Sequence, residues 1–314
     1  MKTPVILIIF NRPDETQRVF DAVRIARPPK LLVICDGPRN KADEEKIDES
    51  KAIIETVDWE CEVIRNYSDT NIGCRSKLSS GLQWAFSIVD RAIVFESDCL
   101  PDQTFFKFCD ELLEKYKDDE EIMHIGGNFF QQRNDKFTSK DSYYFSSIPH
   151  IWGWATWSRA WKYYDPDLIE WPKVKADGTL SKILKDPAVY EYWSTVFDAY
   201  YDKKLPSWDG QWTFQCIMRG GLSIIPSVNL VTNIGFGPQA MQTKDAKSIF
   251  SNIPLNPMLF PLKHPDTIRV NIQADNFTWR QNFGINRYWN QRIFGPIRRT
   301  FPYFYKTIRN LFKK

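Results

Sequence analysis

The sequence predicts an α/β protein with a mostly parallel central sheet flanked by helices. Continuous apolar, β-branched runs such as "PVILIIF" (4–10) and "KLLVICDG" (30–37) are typical of strands covered on both faces. Segments with helical patterning lie between these runs, and such alternation favours right-handed crossovers between parallel strands. The chain has 314 residues, of which 43% are hydrophobic and 15% aromatic, so it can bury a large core.

The alternation can be followed along most of the chain. Residues 75–90 illustrate the helical pattern, because Leu78, Leu82, Phe86 and Val89 fall on one side. Strands are predicted at 4–10, 30–37, 61–66, 91–97, 121–127 and 222–226, and helices at 14–26, 41–57, 75–90, 102–117 and 211–219.

The pattern changes at about residue 128, and again at residue 284. The second part is rich in tryptophan and contains no linker-like segment, so residues 1–283 are expected to form a single domain with two halves, 1–127 and 128–283. Residues 284–314 carry eight Lys or Arg residues, no acidic residue and several aromatic residues. This segment is predicted to be a separate basic tail.

The bulk composition excludes several kinds of protein. A formal net charge of +3 does not predict a nucleic-acid partner, and no nucleic-acid-binding signature occurs. The six cysteines form no C-x-x-C pair and the chain has three histidines, so a Cys/His zinc site is not expected. Neither a secretory leader nor an apolar run of membrane-spanning length is recognised, which predicts a cytoplasmic protein.

Polar residues lie at the carboxyl ends of the predicted strands. They are Asn11-Arg12, Asp36-Gly37, Arg65-Asn66 and Glu96-Ser97-Asp98. Because ligands of open α/β sheets bind beyond the carboxyl ends of the strands, these groups are expected to meet at one edge of the sheet.

The acidic pair in "FESDC" has two interpretations. Ser97 or Asp98 could cap the helix that begins near residue 102. Alternatively, Glu96 and Asp98 could bind Mn²⁺ or Mg²⁺, which take oxygen ligands and often combine one or two carboxylates with substrate phosphates.

The other strand ends suit a nucleotide. Asp36 could accept an N–H from a base such as uracil, although Asp-Gly alone is most often a turn. Asn11 and Arg12 could contact a diphosphate or a base. Asn71-Ile72-Gly73, followed by Arg75 and Lys77, opens a helix whose N-terminus suits phosphate.

Several motifs together resemble GT-A-type glycosyltransferases, and more narrowly a bacterial family-2-like group often labelled hemolytic-protein-like. The resemblance spans about residues 4–240. The motifs are "ILIIFNRPDET", "VICDGPR", "NIGCRSKLSSGL", "AIVFESDCLPDQTFFKFC", "PHIWGWATWSRAW", "WDGQWTFQCIMRGGLSIIP" and "NLVTNIGFG".

The resemblance implies a nucleotide-diphospho-sugar donor, with UDP favoured, and a divalent cation, Mn²⁺ or Mg²⁺. Asp98 would be the metal carboxylate and Glu96 would face the ribose or donor sugar as well as the metal. The nucleotide would be surrounded by Asn11, Arg12, Asp36, Asn71, Arg75, Glu96 and Ser97.

One departure from the group favours a second hypothesis. Relatives often have a histidine after "NIGFG", whereas this chain has Met241 and Gln242. The alternative is therefore a catalytically silent protein that binds a sugar nucleotide or a membrane surface. A nucleotidyltransferase is a further alternative, but "FNRPDE" lacks the glycine-rich phosphate loop expected after the first strand.

By resemblance, Asp209 in "SWDGQW" is the catalytic base of an inverting transfer. Its position also allows Ser207 or Asp209 to be the N-cap of the following helix. Trp152, Trp154, Trp208 and His150 are candidate acceptor-binding residues, because aromatic rings stack on sugar faces. Core packing is the alternative for these tryptophans, and a structural role is the alternative for His150.

The tail completes the functional prediction. Interleaved aromatic and basic residues in 284–314 are typical of a peripheral membrane segment, and a basic helix packed on the domain is the alternative. The sequence therefore predicts a glycosyltransferase that acts on a glycan or lipid-linked acceptor in bacterial surface polysaccharide or lipopolysaccharide synthesis. It would lie in the cytoplasm, at the inner face of the cytoplasmic membrane if the tail binds lipid.

Overall fold

A computed structural model describes residues 1–237 and 248–285. The strands of this part are β1 Val5–Ile9, β2 Lys30–Cys35, β3 Glu62–Tyr67, β4 Arg91–Glu96, β5 Cys99–Pro101, β6 Ile122–Gly126, β7 Tyr143–Ser146, β8 Trp154–Trp157, β9 Leu222–Pro226 and β10 Val231–Asn233. The helices are α1 Pro13–Ala26, α2 Lys41–Ile54, α3 Cys74–Ile88, α4 Gln103–Lys115, α5 Ser158–Trp161, α6 Trp171–Ala176, α7 Thr179–Ile183, α8 Pro187–Tyr201, α9 Asp209–Met218 and α10 Ile272–Phe277, which a π-helical turn follows at Thr278–Asn282.

The central sheet has the strand order β3-β2-β1-β4-β8-β6-β9-β7. Strands β3, β2, β1 and β4 are mutually parallel, as the alternating sequence predicts. Strand β8 is antiparallel to both of its neighbours, and β7 is antiparallel to β9. The α/β class with helices flanking a central sheet is therefore confirmed, and the sheet is mixed beyond β4.

The sheet is continuous across the predicted boundary at residues 127 and 128. Strands from the first part, β4 and β6, pair with β8 and β9 from the second. The division into 1–283 and 284–314 remains a prediction, because the structure describes only the first two residues of the predicted tail.

Strand β1 shows why the apolar runs form inner strands. Val5, Leu7 and Ile9 pack into the core on one face of the sheet, whereas Ile6 and Ile8 pack into the core on the other. Because side chains alternate along a strand, a strand buried on both faces needs apolar residues at every position. The run "VILII" meets that need, and all five of its residues are buried.

The helix after the acidic pair is capped by another residue. Asp102 is the N-cap of α4, and its Oδ1 accepts a hydrogen bond from the Thr104 backbone N–H at 2.8 Å. The short strand β5 separates this cap from Glu96 and Asp98. The capping interpretation of Ser97 or Asp98 is therefore wrong, and both acidic side chains are available for another role.

The tryptophan-rich segment forms β8, which the sequence analysis did not predict. Trp154 is 1% exposed and stacks on Trp208 with ring centroids 5.4 Å apart. Truncating a fully buried aromatic residue of this kind costs about 3–5 kcal/mol of stability. Of the two alternatives for Trp154, core packing is the one that the structure shows.

His124 on β6 is fully buried beside Trp154. Its Nε2 donates to the His150 main-chain oxygen at 2.9 Å, and its Nδ1 accepts from the Trp212 indole N–H at 3.2 Å. A neutral ring satisfies both contacts, whereas a second ring proton would face the indole N–H. Burial lowers the pKa of His124 to about 3, although the hydrogen bond to the His150 main-chain oxygen opposes this shift.

Two further features bear on the sequence-based exclusions. All six cysteines are free thiols. Within the described ranges, no helix has both the length and the apolar character that crossing a membrane requires.

The buried neutral His124 predicts a specific loss of stability in mild acid. The unfolded chain takes up a proton near the ordinary histidine pKa of about 6.5, whereas folded His124 does not. The free energy of unfolding should therefore fall as the pH drops from 7.5 to 5, by about 2 kcal/mol from this residue. Urea unfolding at a series of pH values measures the effect.

A variant comparison isolates the contribution of His124. His124→Phe should be less stable at pH 7.5 but should lose less stability on acidification. His264→Gln is the control, because His264 is partly exposed and should contribute less to the slope. An unchanged slope in His124→Phe contradicts this account.

Candidate functional site

A pocket of about 390 Å³ lies at the carboxyl ends of β1, β2 and β4. It is lined by most of the predicted site residues, namely Asn11, Arg12, Asp36, Asn71, Glu96, Ser97, Asp98, Trp152, Trp208 and Asp209. Residues at the end of β10 and at the start of α9, both in the second half of the chain, form another wall of the pocket. The expectation that strand-end residues meet at one edge of the sheet is therefore met, although Arg65 instead forms an exposed ion pair with Glu55.

Arg12 and Asp98 connect the ends of β1 and β4. Arg12 Nη1 lies 3.0 Å from Asp98 Oδ2 and 3.4 Å from the Gly235 carbonyl oxygen. Gly235 packs so closely against both side chains that a Cβ atom there would overlap them. Both side chains are only about one-fifth exposed, 20% for Arg12 and 18% for Asp98, so the guanidinium places a partly desolvated positive charge in the pocket.

Three of the four carboxylates that line this pocket, Glu96, Asp98 and Asp209, interact electrostatically, and Asp36 is the fourth. Burial, and then the charges of Asp98 and Asp209, raise the pKa of Glu96 to about 8, against the opposing effects of the Trp208 indole hydrogen bond and Arg12. Burial also raises the pKa of Asp98, although Arg12 opposes that shift. A divalent cation would relieve the repulsion within such a group of carboxylates.

Asp36 fixes the loop that precedes α3. Its Oδ1 accepts from the backbone N–H groups of Gly37 at 2.9 Å and Ile72 at 3.1 Å, and its Oδ2 accepts from the Gly73 N–H at 2.9 Å. Asn71 Nδ2 donates to the Gly37 carbonyl at 2.8 Å. The N–H groups of Ile72 and Gly73, which the sequence analysis assigned to phosphate, thus bind Asp36 instead.

Two residues on α3 were expected to bind phosphate, but they lie on different sides of the helix. Lys77 is buried in the wall of the pocket, where its Nζ donates to Asn66 Oδ1 at 2.6 Å and Ser68 Oγ at 2.9 Å. Arg75 points away from the pocket and donates to the main-chain oxygens of Tyr200 and Pro166. Side chains two positions apart on a helix diverge by about 200°, so only one of them can face the pocket.

Asn11 is held by residues that the sequence analysis did not identify. Its Nδ2 donates to Asp43 Oδ1 at 2.6 Å, and Arg39 donates to both oxygens of the same carboxylate. The Arg39 guanidinium also lies over the Phe10 ring, 5.1 Å from its centroid. These contacts form a polar and aromatic surface at the edge of the pocket. In the sequence, the four-residue spacing between Arg39 and Asp43 is the local feature that indicates this ion pair.

Asp209 is the first residue of α9, and the N-cap position is occupied by Trp208. The prediction that Ser207 or Asp209 is the N-cap is therefore wrong. Asp209 Oδ1 accepts a hydrogen bond from the Tyr200 hydroxyl at 3.1 Å, and the same hydroxyl lies 2.6 Å from Ser207 Oγ. Because the Tyr200 proton points at Asp209, Ser207 donates to the Tyr200 oxygen.

Of the four predicted acceptor residues, Trp152 and Trp208 line the pocket, whereas Trp154 and His150 do not. His150 is 3% exposed, and its Nδ1 donates to the Asn128 main-chain oxygen at 3.0 Å. Burial lowers the pKa of His150 to about 4. His150 therefore supports β6 and the Trp152 loop from within the core, in keeping with the structural alternative.

Two features interpreted from the sequence lie outside the described residues. They are the absent histidine at Met241 and Gln242, and the tail from residue 286 onward. Among residues 1–237 and 248–285, no group of three or more His, Cys, Asp or Glu side chains is arranged to hold a metal ion.

No protein-family profile matches the chain, and no curated protein sequence matches it. Among solved structures, a fragment of S. aureus TarS comprising residues 1–349 is 9% identical with a TM-score of 0.41, and the match covers 74% of this chain and 60% of that fragment.

Two further solved structures show similarity of the same order. An active-site mutant of LgtC is 12% identical, with 89% of this chain and 94% of that chain covered and a TM-score of 0.38. Apo UDP-glucose pyrophosphorylase is 10% identical, with 72% and 90% covered and a TM-score of 0.38. With TM-scores this low, these similarities assign neither a family nor an activity to the chain.

Proposed function

We propose that the protein is an inverting glycosyltransferase. It would move a sugar from a nucleotide-diphospho-sugar, with UDP favoured, to a glycan or lipid-linked acceptor in bacterial surface polysaccharide synthesis. One observation supports this proposal most strongly. A single pocket joins the polar residues at the ends of β1 and β2 to the carboxylates Glu96, Asp98 and Asp209.

The nucleotide would occupy the side of the pocket formed by β1, β2 and α3. Asp36 Oδ1 accepts two backbone N–H groups, but its Oδ2 accepts only that of Gly73 among the described contacts, so Oδ2 can accept the N3–H of uracil. The buried ammonium of Lys77 lies on the same side. The diphosphate would lie toward Arg12, whose planar guanidinium suits phosphate oxygens.

The residues present fit a divalent cation as a two-carboxylate site. Asp98 Oδ2 is paired with Arg12, and its Oδ1 accepts from the weak Cys99 thiol donor at 3.7 Å. Asp98 and Glu96 would therefore hold Mn²⁺ or Mg²⁺ together with the oxygens of the donor diphosphate. A bound cation would supply positive charge for the departing diphosphate.

The reaction assigned to Asp209 is general base catalysis. Its carboxylate would remove the proton from the acceptor hydroxyl, whose oxygen would form a bond to the anomeric carbon as the bond from that carbon to the diphosphate breaks. Tyr200 orients the carboxylate, and Trp208 and Trp152 exclude water beside it. Attack from the side opposite to the leaving group inverts the anomeric configuration.

Replacing the base should separate catalysis from binding. Asp209→Asn should lower the rate of UDP release from a productive UDP-sugar by about 10²–10⁴-fold, because the amide cannot take up the proton. The affinity for UDP should change little. A coupled assay of UDP release with a panel of UDP-sugars, together with UDP titration calorimetry, measures both quantities.

Asp202→Asn is the matched control, because Asp202 is exposed near the same loop and pairs with Lys204. It should retain full activity. Near-normal turnover by Asp209→Asn would overturn the role of Asp209. UDP binding by the wild type without turnover of any sugar donor would favour the silent binding protein.

The metal should bind together with the nucleotide rather than before it. Two protein carboxylates leave most of the coordination positions to phosphate oxygens and water. Calorimetry should therefore detect weak Mn²⁺ binding alone, and UDP affinity should rise at least about tenfold when Mn²⁺ is present. Asp98→Asn should abolish that rise, whereas the exposed control Asp118→Asn should retain it. Tight Mn²⁺ binding without UDP would contradict this order.

We also propose that the segment 284–314 contacts anionic lipid, which would bring the enzyme to a lipid-linked acceptor. Its basic and aromatic composition supports the proposal. Flotation with anionic and neutral liposomes tests it, with a chain shortened after residue 285 as the comparison. The full chain should float with anionic vesicles and the shortened chain should not; equal recovery of both would refute the contact.

A further inference from the structure

A second cavity, of about 460 Å³, lies beside the first. Pro206 lines both cavities, and Ser207, Trp208 and Asp209 follow it directly in the sequence. The second cavity is bounded by α3, by the loop that contains Pro166 and Asp167, and by the loop that links α8 to α9. None of the roles discussed above uses it.

The walls of this cavity are rich in hydroxyl, amide and paired charged groups. Helix α3 contributes Ser76, Ser79, Ser80 and Gln83 from successive turns of one face. Across the cavity, Lys203 Nζ lies 3.2 Å from Asp167 Oδ1. A wall that combines these polar groups with apolar surface from Leu205 and Pro206 suits a sugar, which carries both hydroxyl groups and apolar C–H faces.

Arg75 gives these walls a fixed shape. Its guanidinium donates to the Pro166 carbonyl on one loop and, at 3.0 Å, to the Tyr200 carbonyl at the end of α8. The Arg75 side chain is 14% exposed, so these contacts hold α3 and both loops together in a partly desolvated setting. The cavity is consequently built by tertiary contacts rather than by loose surface side chains.

Two hydrogen-bond connections link the cavity to the proposed catalytic carboxylate. Tyr164, in the cavity wall, donates from its hydroxyl to the Trp208 carbonyl at 3.2 Å and accepts from Ser79 Oγ at 2.8 Å. Tyr200 accepts from Arg75 through its main-chain oxygen and donates to Asp209 through its hydroxyl. A ligand held in this cavity therefore lies against the residues that position Asp209.

We infer that this cavity binds the non-reacting sugar residues of an oligosaccharide acceptor and so delivers the terminal sugar to Asp209. The inference rests on the proposed glycosyl transfer and adds to it the place and the chemical class of the acceptor. The recognised part is a hydrophilic chain of at least two sugars, and a lipid portion lies elsewhere.

The test fills the cavity without touching the nucleotide pocket. Ser76 and Ser80 are exposed, lie one helical turn apart on α3 and line the cavity. The double variant Ser76→Leu/Ser80→Leu replaces two hydroxyls with bulky apolar side chains, and leucine favours the helix more than serine does. Ser87→Leu on the same helix is the matched control, because Ser87 is exposed and does not line the cavity.

The probes are a panel of trisaccharides of bacterial surface glycans and the monosaccharides that they contain. Binding is measured by glycan array and then by titration in the presence of UDP and Mn²⁺. The wild type and Ser87→Leu should bind at least one trisaccharide more tightly than its monosaccharides. The double variant should lose about tenfold or more of that affinity, while its UDP affinity and donor hydrolysis stay unchanged.

Three outcomes overturn the inference: no trisaccharide binds the wild type, trisaccharide and monosaccharide bind equally, or the double variant binds like the wild type. Failure of the proposed function has a different signature, because the wild type would then neither bind UDP nor hydrolyse a UDP-sugar. The two results are read from separate titrations of the same protein.

Discussion

The site depends on bringing three carboxylates into one partly buried pocket. Glu96 ends β4 and Asp98 follows it, and Asp209 begins α9 in the other half of the chain. Their mutual repulsion and their desolvation both disfavour the charged forms, which is why the pKa of Glu96 is raised to about 8. Arg12 offsets part of this cost, and removing one member of such a partly buried pair would cost about 3–5 kcal/mol.

The same charge balance governs how a donor would bind. A diphosphate would add negative charge to a pocket that already contains more carboxylates than cations. Arg12 and Lys77 compensate for part of it, and Lys77 is held by neutral partners rather than by a carboxylate. A divalent ion is most strongly attracted when the diphosphate is also present, since the two together neutralise one another and complete the coordination shell.

The sequence predicts the parallel part of the fold because every signal there is local. Apolar runs buried on both faces mark β1, β2 and β4, and a known rule places their polar ends at one edge. The antiparallel strand β8 could not be predicted, because its tryptophans look the same whether they pack in a core or bind a sugar. Only the long-range pairing of β8 with β4 and β6 decides that Trp154 is buried.

The residues of the site could also be predicted only where the signal is local in the sequence. Asn11, Arg12, Asp36 and the acidic pair could be named because each one directly follows a strand, and Asp209 could be named by resemblance. Tyr200 could not, since its hydroxyl reaches Asp209 only through the packing of α8 against α9, with Gly210 in contact with the Tyr200 ring. Likewise, Lys77 faces the pocket and Arg75 faces away from it because of the face of α3 that packs on the sheet. That face can be identified only when the fold is known.

The orientation of Arg75 also explains why two cavities meet at the start of α9. If both basic residues of α3 faced the nucleotide, the loops after Tyr164 and Tyr200 would lack the donor that fixes them. With Arg75 turned outward, α3 forms a wall between two spaces, one lined by the Lys77 side chain and the other by serine hydroxyls. Asp209 lies where the loop from Pro206 borders both spaces. In the proposed transfer the base would lie at that boundary, because the acceptor oxygen must contact both the carboxylate that takes its proton and the anomeric carbon of the donor.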